Sequence, residues 1–258
     1  MPEAPWSADR IRDDVYRQKF LVLPDIIREW VAEHRSLDGA SILDFGCGEA
    51  TTALGMSLRF RPRRVVGVDI MADPDRCLPA AREQLGLEAL PPNLALHRVA
   101  RGALHDPRDR FDLIYSWSVL EHVDRRLLPE VLHMLREALT PDGLLFVQVA
   151  PLYYSAEGSH LFERIPEPWG HLLNQHDVYY AKLAHAVEDP DERRALWSTY
   201  RTLNKLTADE LIQATRDAGL HLLRTYTTRD TYEVPPRLPE IFNEAVLCTN
   251  QVVLLGHK

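Results

Sequence analysis

The sequence predicts an α/β fold in which a mostly parallel sheet carries helices on both of its faces. Short apolar runs alternate with amphipathic stretches over the first 150 residues, and this alternation is typical of strands joined by crossover helices. Two of the apolar runs end in an acid, Asp44 and Asp69, and a turn with two glycines follows the first of them. Because such sheets bind ligands at the carboxyl ends of their strands, the pattern also predicts a ligand site beside these acids.

The elements before residue 150 follow from the spacing of apolar residues. Residues 8–34 have apolar positions at helical intervals, which predicts one or two amphipathic helices, with Pro24 dividing them or opening the second. The later apolar runs predict strands at 41–45, 64–69, 94–99, 111–116 and 144–149. The stretches between these runs predict helices at 51–60, 79–85 and 126–138.

Residues 150–206 interrupt this alternation. They are rich in Tyr, Trp, His and Pro and show no strand pattern, but helical spacing is present from residue 172, notably at 178–187 and 193–203. The alternation resumes at Thr207 and Glu210, which have the spacing of a capping box for a helix that ends at Gly219. Strands are then expected at 220–227 and 251–255.

A chain of 258 residues is long enough to bury one large core. We therefore expect a single compact domain in four parts. Residues 1–38 form an N-terminal helical lid, and residues 39–150 form the ligand-binding core. Residues 151–206 form an insertion after the fifth strand, which we call the cap, and residues 207–258 complete the core.

The composition excludes several classes of protein. The net charge of −8 argues against a nucleic-acid substrate, because phosphate binding needs a basic face. No apolar run approaches the roughly 18 residues of a membrane span, and the first 14 residues lack the apolar core of a secretory signal. The three cysteines, Cys47, Cys77 and Cys248, are scattered, as expected for reduced thiols in a cytoplasmic protein without a disulfide or zinc framework.

The glycine turn indicates which ligand the site binds. The spacing Asp44-x-Gly46-x-Gly48 places a carboxylate beside the turn, and Thr51 stands where a dinucleotide-binding loop has its third glycine. A carboxylate there would repel a pyrophosphate but suits an ammonium or sulfonium group. Asp69, at the end of the next strand, can accept hydrogen bonds from two ribose hydroxyls.

This stretch resembles the first motif of the class I S-adenosylmethionine (SAM) dependent methyltransferases. Residues 111–123 resemble the family's fourth strand and following helix, residues 139–149 resemble its loop and fifth strand, and a weaker likeness is present at 206–227. The resemblance implies a Rossmann-like sheet of about seven strands with an antiparallel last strand. Two departures are Ala50, where the family often has a glycine that small alanine can replace without harm, and 99–103, which lacks the family's adenine-binding acid.

The resemblance implies SAM as the cofactor and a set of residues around it. Cys47 lies within the glycine turn, where we interpret it as a packing residue, and His122 belongs to a Glu-His pair that opens the helix after the fourth strand. The implied cofactor contacts are Asp44, Gly46, Cys47, Gly48, Asp69, Ile70, Arg101, Gly102, Ala103, Ser116, Trp117, Ser118 and His122.

The residues that would act on the acceptor lie in the cap. A hydroxyl acceptor needs a base, for which histidine is the commonest choice near neutral pH. His171 is the first candidate and His160 the second, although either side chain can equally have a structural or substrate-binding role. We expect no metal, since the cap histidines do not have the spacing of a helical ligand pair. The expected substrate contacts are Tyr153, Tyr154, Trp169 and His176.

The resulting prediction is a methyltransferase that acts on a small molecule, most simply at a hydroxyl oxygen of a natural product or sugar. N- or C-methylation, another SAM reaction such as aminopropyl transfer or decarboxylation, and a catalytically inactive partner subunit are the alternatives. Intact Asp44, Gly46, Gly48 and Asp69 argue against an inactive protein. We expect no nucleic-acid or membrane partner, and the sequence leaves a homodimer open.

Overall fold

A computed structural model describes residues 6–71 and 74–258, so residues 1–5 of the predicted lid lie outside it. The strands form one seven-stranded sheet in the order β3-β2-β1-β4-β5-β7-β6, with β1 parallel to both β2 and β4 and with antiparallel last strands. This sheet confirms the predicted fold class. The strands are β1 (Ser41–Phe45), β2 (Arg64–Asp69), β3 (Leu94–Arg98), β4 (Phe111–Trp117), β5 (Leu139–Val149), β6 (His221–Arg229) and β7 (Thr249–His257).

Helices precede the sheet, connect its strands and fill the interval between β5 and β6. A π-helix (Gln18–Val22) joins the first two α-helices, and Pro24 is the second residue of α2, as one of the two predicted alternatives requires. The α-helices are α1 (Asp14–Arg17), α2 (Leu23–Val31), α3 (Thr51–Arg59), α4 (Pro74–Leu85), α5 (Leu128–Glu137), α6 (Gly170–Leu173), α7 (His176–Ala186), α8 (Pro190–Thr202), α9 (Ala208–Asp217) and α10 (Glu244–Cys248).

Three predicted boundaries are wrong. Helix α4 does not begin at Pro79 but contains it. Proline has no backbone N–H, so one helical hydrogen bond is lost, and the burial of Cys77 and Ala81 in the core offsets that loss. Strand β5 starts at Leu139, five residues before the predicted start at residue 144, because Gly143 lets the strand approach another backbone closely. A Cβ at Gly143 would lie 2.8 Å from the carbonyl oxygen of Phe111.

The third correction concerns His122, which does not open the helix after β4. It ends a separate 3₁₀ turn (Leu120–His122), and α5 begins only at Leu128. The side-chain Nδ2 of Asn204 donates to the carbonyl oxygen of Leu120 at 2.6 Å and to that of Val123 at 3.0 Å. These bonds satisfy carbonyls that a continuous helix would have satisfied itself, so a long-range contact ends the turn.

The capping box of α9 is confirmed. The Glu210 amide donates to the Thr207 hydroxyl at 3.2 Å, and the Thr207 amide donates to the Glu210 carboxylate at 2.9 Å. Gly219, just beyond the helix, has a φ of 82°, which a glycine adopts without strain. Local sequence therefore determines both ends of this helix.

The chain divides into two compact units. The first comprises the residues up to Ser116 together with Met134–Phe146 and Leu255–Lys258, and the second comprises Trp117–His133 and Val147–Leu254. The predicted boundaries of the lid, core and cap stay predictions. Among the described residues, no helix combines the length and apolar character that a membrane crossing would require.

Candidate active site

The glycine turn after β1 is tied to the neighbouring strand. The amides of Gly46 and Cys47 donate to the carbonyl oxygen of Val68 at 2.8 and 3.0 Å. Gly46 and Gly48 have φ values of 85° and 52°, which side-chain-bearing residues rarely adopt. A Cβ at Gly48 would meet no atom within 4 Å, so the backbone there borders open space. The turn thus presents bare backbone at the carboxyl ends of β1 and β2.

Asp69 is oriented by two backbone amides. Its Oδ2 accepts a hydrogen bond from the Gly48 amide at 2.8 Å, and its Oδ1 accepts one from the Met71 amide at 2.7 Å. The side chain is half-buried and the next residue, Ile70, is exposed. A carboxylate held in this way keeps lone pairs for further donors, such as the hydroxyls of a ribose.

Asp44 is buried beside Asp69, with 3% of its surface exposed. The Tyr115 hydroxyl donates to its Oδ2 at 2.7 Å. Burial raises the pKa of Asp44 to about 7, the Tyr115 hydrogen bond opposes that rise, and the Asp69 charge adds to it. A nearby cation would favour the ionised form, so this carboxyl suits a positively charged ligand group.

Sequence reasoning missed the role of Tyr115. The parallel register of β1 and β4 pairs Asp44 with Tyr115, and this pairing brings the hydroxyl to the carboxylate. Strand order is needed to see it, since the two residues are far apart in the sequence. The fully buried hydroxyl of Ser116, by contrast, donates to the carbonyl oxygen of Phe45 at 3.0 Å and joins the ends of the same strands.

Cys47 packs against the second strand. A Cβ on Gly67 would lie 3.0 Å from the Cys47 sulfur, so the absence of a side chain at Gly67 makes room for the thiol. Burial, followed by the charges of Asp44 and Asp69, raises the pKa of Cys47. The thiol therefore stays protonated and unreactive at neutral pH.

Ala50 lies in the glycine turn with a left-handed backbone. Its side chain is small enough to be almost fully buried, with 1% exposed, but its φ is 59°. A left-handed backbone is unfavourable for any residue with a Cβ. The position thus requires a left-handed backbone as well as a small side chain, and alanine fits there with some backbone strain.

The turn after β3 contains the remaining predicted contacts of the first unit. The Ala103 amide donates to the carbonyl oxygen of Ala100 at 3.1 Å, and Gly102 has a φ of 69°. Arg101 and Gly102 are exposed and Ala103 is half-buried. The backbone of this turn, rather than an acid, is what the chain offers at the end of β3.

The second unit contains the other predicted residues. Trp117 ends β4 and is half-buried. Ser118 has a φ of 51°, and its one hydroxyl hydrogen is shared between two acceptors, Gln148 Oε1 at 3.0 Å and the Ala150 carbonyl oxygen at 3.1 Å. The exposed ring of His122 meets the half-buried ring of His160 edge to face, with 5.1 Å between centroids.

Glu121, next to His122, was not among the predicted site residues. Its side chain is 5% exposed, and neither carboxyl oxygen has a hydrogen-bond partner among the described residues. It borders a cavity of about 10 Å³, enough for a single water. Burial raises the pKa of Glu121 to about 8, so the carboxyl is mostly protonated at neutral pH.

Three ring N–H groups of the cap bind backbone carbonyls of one short segment. His160 Nε2 donates to the Pro151 oxygen at 3.0 Å, and His171 Nε2 donates to the Tyr153 oxygen at 2.5 Å. The Trp169 indole donates to the Tyr154 oxygen at 3.0 Å. These side chains hold the irregular backbone after β5, so His160, His171 and Trp169 each have a structural role.

The predicted acceptor residues differ in accessibility. His171 is 4% exposed, and its Nδ1 is buried without a partner among the described residues, whereas His160 is half-buried. Burial lowers the pKa of both histidines to about 4. Trp169 is fully buried, and His176 is exposed with its ring against Trp197 and Tyr200.

The two neighbouring tyrosines border different cavities. Tyr153 is buried and lines the small cavity of Glu121, while half-buried Tyr154 lines a larger one of about 200 Å³. No group of three or more His, Cys, Asp or Glu side chains in residues 6–71 and 74–258 could hold a metal ion.

An α/β sheet with a buried acid, an open glycine turn and a second oriented acid defines a site for a nucleoside that carries a positive charge. The sequence profile of the methyltransferase domain family matches residues 16–225. The chain belongs to this family of class I SAM-dependent methyltransferases, which confirms the predicted family, enzyme class and cofactor.

Individual relatives cover smaller parts of the chain. Trans-aconitate 2-methyltransferase of Azoarcus sp. (strain BH72) is 32% identical over 138 residues, 53% of this chain and 49% of that protein. (S)-Coclaurine N-methyltransferase of Papaver somniferum is 29% identical over 111 residues, 43% of this chain and 30% of that one. The match therefore spans half or less of each curated relative.

Solved structures support the fold. Magnesium protoporphyrin IX methyltransferase from Synechocystis PCC 6803, determined with bound SAH, aligns with 94% of this chain and 85% of its own. The TM-score is 0.55 and the sequence identity 14%, so this likeness concerns the fold alone.

Proposed function

We propose that the chain transfers a methyl group from SAM to a hydroxyl oxygen of a small molecule. The observation that carries the proposal is the pairing of buried Asp44 with the oriented carboxylate of Asp69 around an open glycine turn. A nucleoside with a cationic sulfur and ammonium group matches both acids, whereas a phosphorylated nucleotide would place negative charge beside them.

The residues of the first unit fit the cofactor, and each has a distinct task. Asp69 would accept the ribose hydroxyls, and the turn Gly46–Gly48 would let the backbone approach the nucleoside closely. Asp44, ionised by the approaching cation, would balance its charge. The turn at Arg101–Ala103 would offer backbone groups to the adenine. SAM, when bound, supplies the methyl group as an electrophile.

The chain itself must then align the acceptor and take up its proton. We propose His160 for the proton, because its Nε2 donates to Pro151 and leaves Nδ1 as the accepting atom. A pKa of about 4 is sufficient for this task. As the new C–O bond forms, the oxygen gains positive charge and its proton becomes strongly acidic. His171 as base stays a prediction, and its enclosure makes His160 the better-placed candidate.

A small acceptor is supported by the relatives, two of which are named for trans-aconitate and (S)-coclaurine. Oxygen as the acceptor atom is supported by the half-buried histidine with a free proton-accepting nitrogen, since a neutral amine needs no base before it attacks. We further propose a cytoplasmic location, which agrees with three free cysteines.

Isothermal calorimetry with S-adenosylhomocysteine tests the cofactor part of this proposal. We expect wild-type protein to bind it and Asp69→Asn to bind about ten- to a hundredfold more weakly, because charge-assisted hydrogen bonds contribute roughly 1.5–3 kcal/mol. Asp38→Asn, at an exposed ion pair with Arg61, is the matched control and should bind like wild type.

Two results would contradict the proposal. Undetectable binding by folded wild-type protein would exclude the SAM site, and equal affinity of Asp69→Asn would exclude the assigned role of Asp69. Thermal unfolding of each variant shows whether a loss of affinity follows from loss of structure.

A further inference from the structure

A cavity of about 200 Å³ lies within the second unit at the carboxyl ends of β5 and β6. It is bordered by Leu152 just after β5, by Thr227 near the end of β6 and by Thr249 at the start of β7. Ligands of open α/β sheets bind outside the carboxyl ends of strands. The volume is below the roughly 300–1,000 Å³ of pockets for drug-sized ligands, so it suits a smaller molecule.

The charge at the cavity is acidic and comes from one exposed side chain. Among the described residues that border it, Asp209 is the single side chain that carries a charge at neutral pH, and none is Lys or Arg. The first turn of α9 holds a second acid, Glu210, which is engaged in the capping box and pairs with Arg125. A negatively charged ligand would therefore meet repulsion and no cationic partner.

Three polar groups of the wall are free to bind a ligand. The hydroxyls of Tyr154 and Thr227 and the carboxylate of Asp209 make no hydrogen bond or ion pair within the described part of the chain. Two neighbouring side-chain oxygens are already engaged: Asn243 Oδ1 accepts from the Ala245 amide at 2.8 Å, and the Thr249 hydroxyl donates to the Ala245 carbonyl oxygen at 2.7 Å.

Tyr154 is held firmly in the wall. Its ring contacts Tyr153 edge to face, with 5.3 Å between centroids, and lies 5.4 Å from the ring of Phe242. The Trp169 indole fixes its carbonyl. The same wall contains this rigid aromatic ring, hydroxyl and carboxylate groups, and leucine and valine side chains. Such a lining provides both apolar contact and directed hydrogen bonds at little entropic cost.

We propose that this cavity binds a small hydroxylated molecule of about monosaccharide size that carries no negative charge. Asp209 accepts hydrogen bonds from ligand hydroxyls, while Tyr154 and Thr227 donate or accept. The site is independent of the proposed cofactor contacts, since none of its residues belongs to that set.

Saturation-transfer NMR on the chain of 258 residues tests the proposal with two probes, methyl β-D-glucopyranoside and citrate. Wild type should transfer saturation to the glucoside and not to citrate. Asp209→Lys should lower the glucoside signal at least fivefold and create a citrate signal, and Tyr154→Phe should weaken the glucoside signal alone. Asp217→Lys, exposed at the other end of α9, changes the same charge outside the cavity and should behave as wild type.

Absence of a glucoside signal, a citrate signal of equal size with wild type, or an unchanged Asp209→Lys profile would overturn the proposal. Calorimetry with S-adenosylhomocysteine on the same samples separates this outcome from failure of the proposed function. Cofactor binding without glucoside binding would remove the cavity site and leave the methyltransferase assignment intact. Glucoside binding without cofactor binding would support the cavity site and contradict the proposed function.

Discussion

Asp44 and Glu121 both have buried carboxyl groups. Their surroundings differ, so Asp44 suits a ligand and Glu121 affects the stability of the fold. Burial and the Asp69 charge oppose ionisation of Asp44, whereas the hydrogen bond from Tyr115 favours it, so an incoming cation can complete the ionisation. Glu121 has no partner among the described residues and borders a cavity with room for one water. A buried polar group without a partner lowers stability, and the cost grows when the group becomes charged.

We expect Glu121→Gln to stabilise the protein at alkaline pH. A carboxyl ionises near pH 4.5 in the unfolded chain and at about 8 in the folded protein. Stability from the protonated form is thus complete below about pH 4.5 and is lost as the pH rises toward 8. The advantage of the variant over wild type should grow by roughly 3 kcal/mol between pH 5 and pH 8. Urea unfolding at both values measures it.

Glu130→Gln provides the control, because Glu130 is exposed on α5. Its difference from wild type should be the same at pH 5 and pH 8. A constant difference for Glu121→Gln as well would show that Glu121 is ionised or solvated in the folded state.

At the scale of elements, the regular helices were predictable and the loop after β5 was not. The helical spacing in the cap predicted α7 and α8 to within a few residues, and the capping box predicted the start of α9. The segment 151–161 has no regular hydrogen-bond ladder, and three of its carbonyl oxygens accept from the rings of His160, His171 and Trp169. The composition indicated an unusual region, but it could not predict which ring nitrogen would donate a hydrogen bond to which carbonyl oxygen.

Gly158 lies in this loop at a position that has no room for a side chain. A Cβ there would lie 2.2 Å from the Tyr153 carbonyl oxygen and 2.3 Å from that of Leu152. Since both clashes are with backbone, Gly158→Ala should cost about 3 kcal/mol or more and weaken the His171 contact with Tyr153. Chemical denaturation measures the loss.

Gly39→Ala separates steric clash from backbone strain. Gly39 has a φ of 72° and no atom within 4 Å of an added Cβ, so its alanine variant should lose only about 1 kcal/mol. Equal losses in the two variants would mean that the loop around Gly158 shifts without cost.

At the scale of the whole molecule, the two compact units are interleaved along the chain. The chain passes between them after Ser116, His133, Phe146 and Leu254. Strand β4 lies between β1 and β5 in the sheet, and its residues Leu113, Ile114 and Tyr115 are fully buried. A fragment that ends at residue 116 would keep β4 but lose β5, leaving a long apolar edge uncovered.

We therefore expect the fragment of residues 1–116 to lack a cooperative thermal transition by circular dichroism and to aggregate, while the full chain unfolds cooperatively. The full chain at equal concentration is the reference. A cooperative transition of the fragment with native-like ellipticity would show that the first unit folds without its later segments.

The sequence by itself determined the strand-turn-helix pattern, the acids at the ends of β1 and β2, the capping box of α9 and hence the family and its cofactor. These features depend on residues close together in the chain, where apolar periodicity and glycine turns act directly. Only the tertiary structure decided the partner of Asp44, the isolation of Glu121, the enclosure of His171 and the separate cavities of Tyr153 and Tyr154. Each of these depends on strand register or on contacts between distant segments, because burial and hydrogen-bond partners are properties of the packed chain.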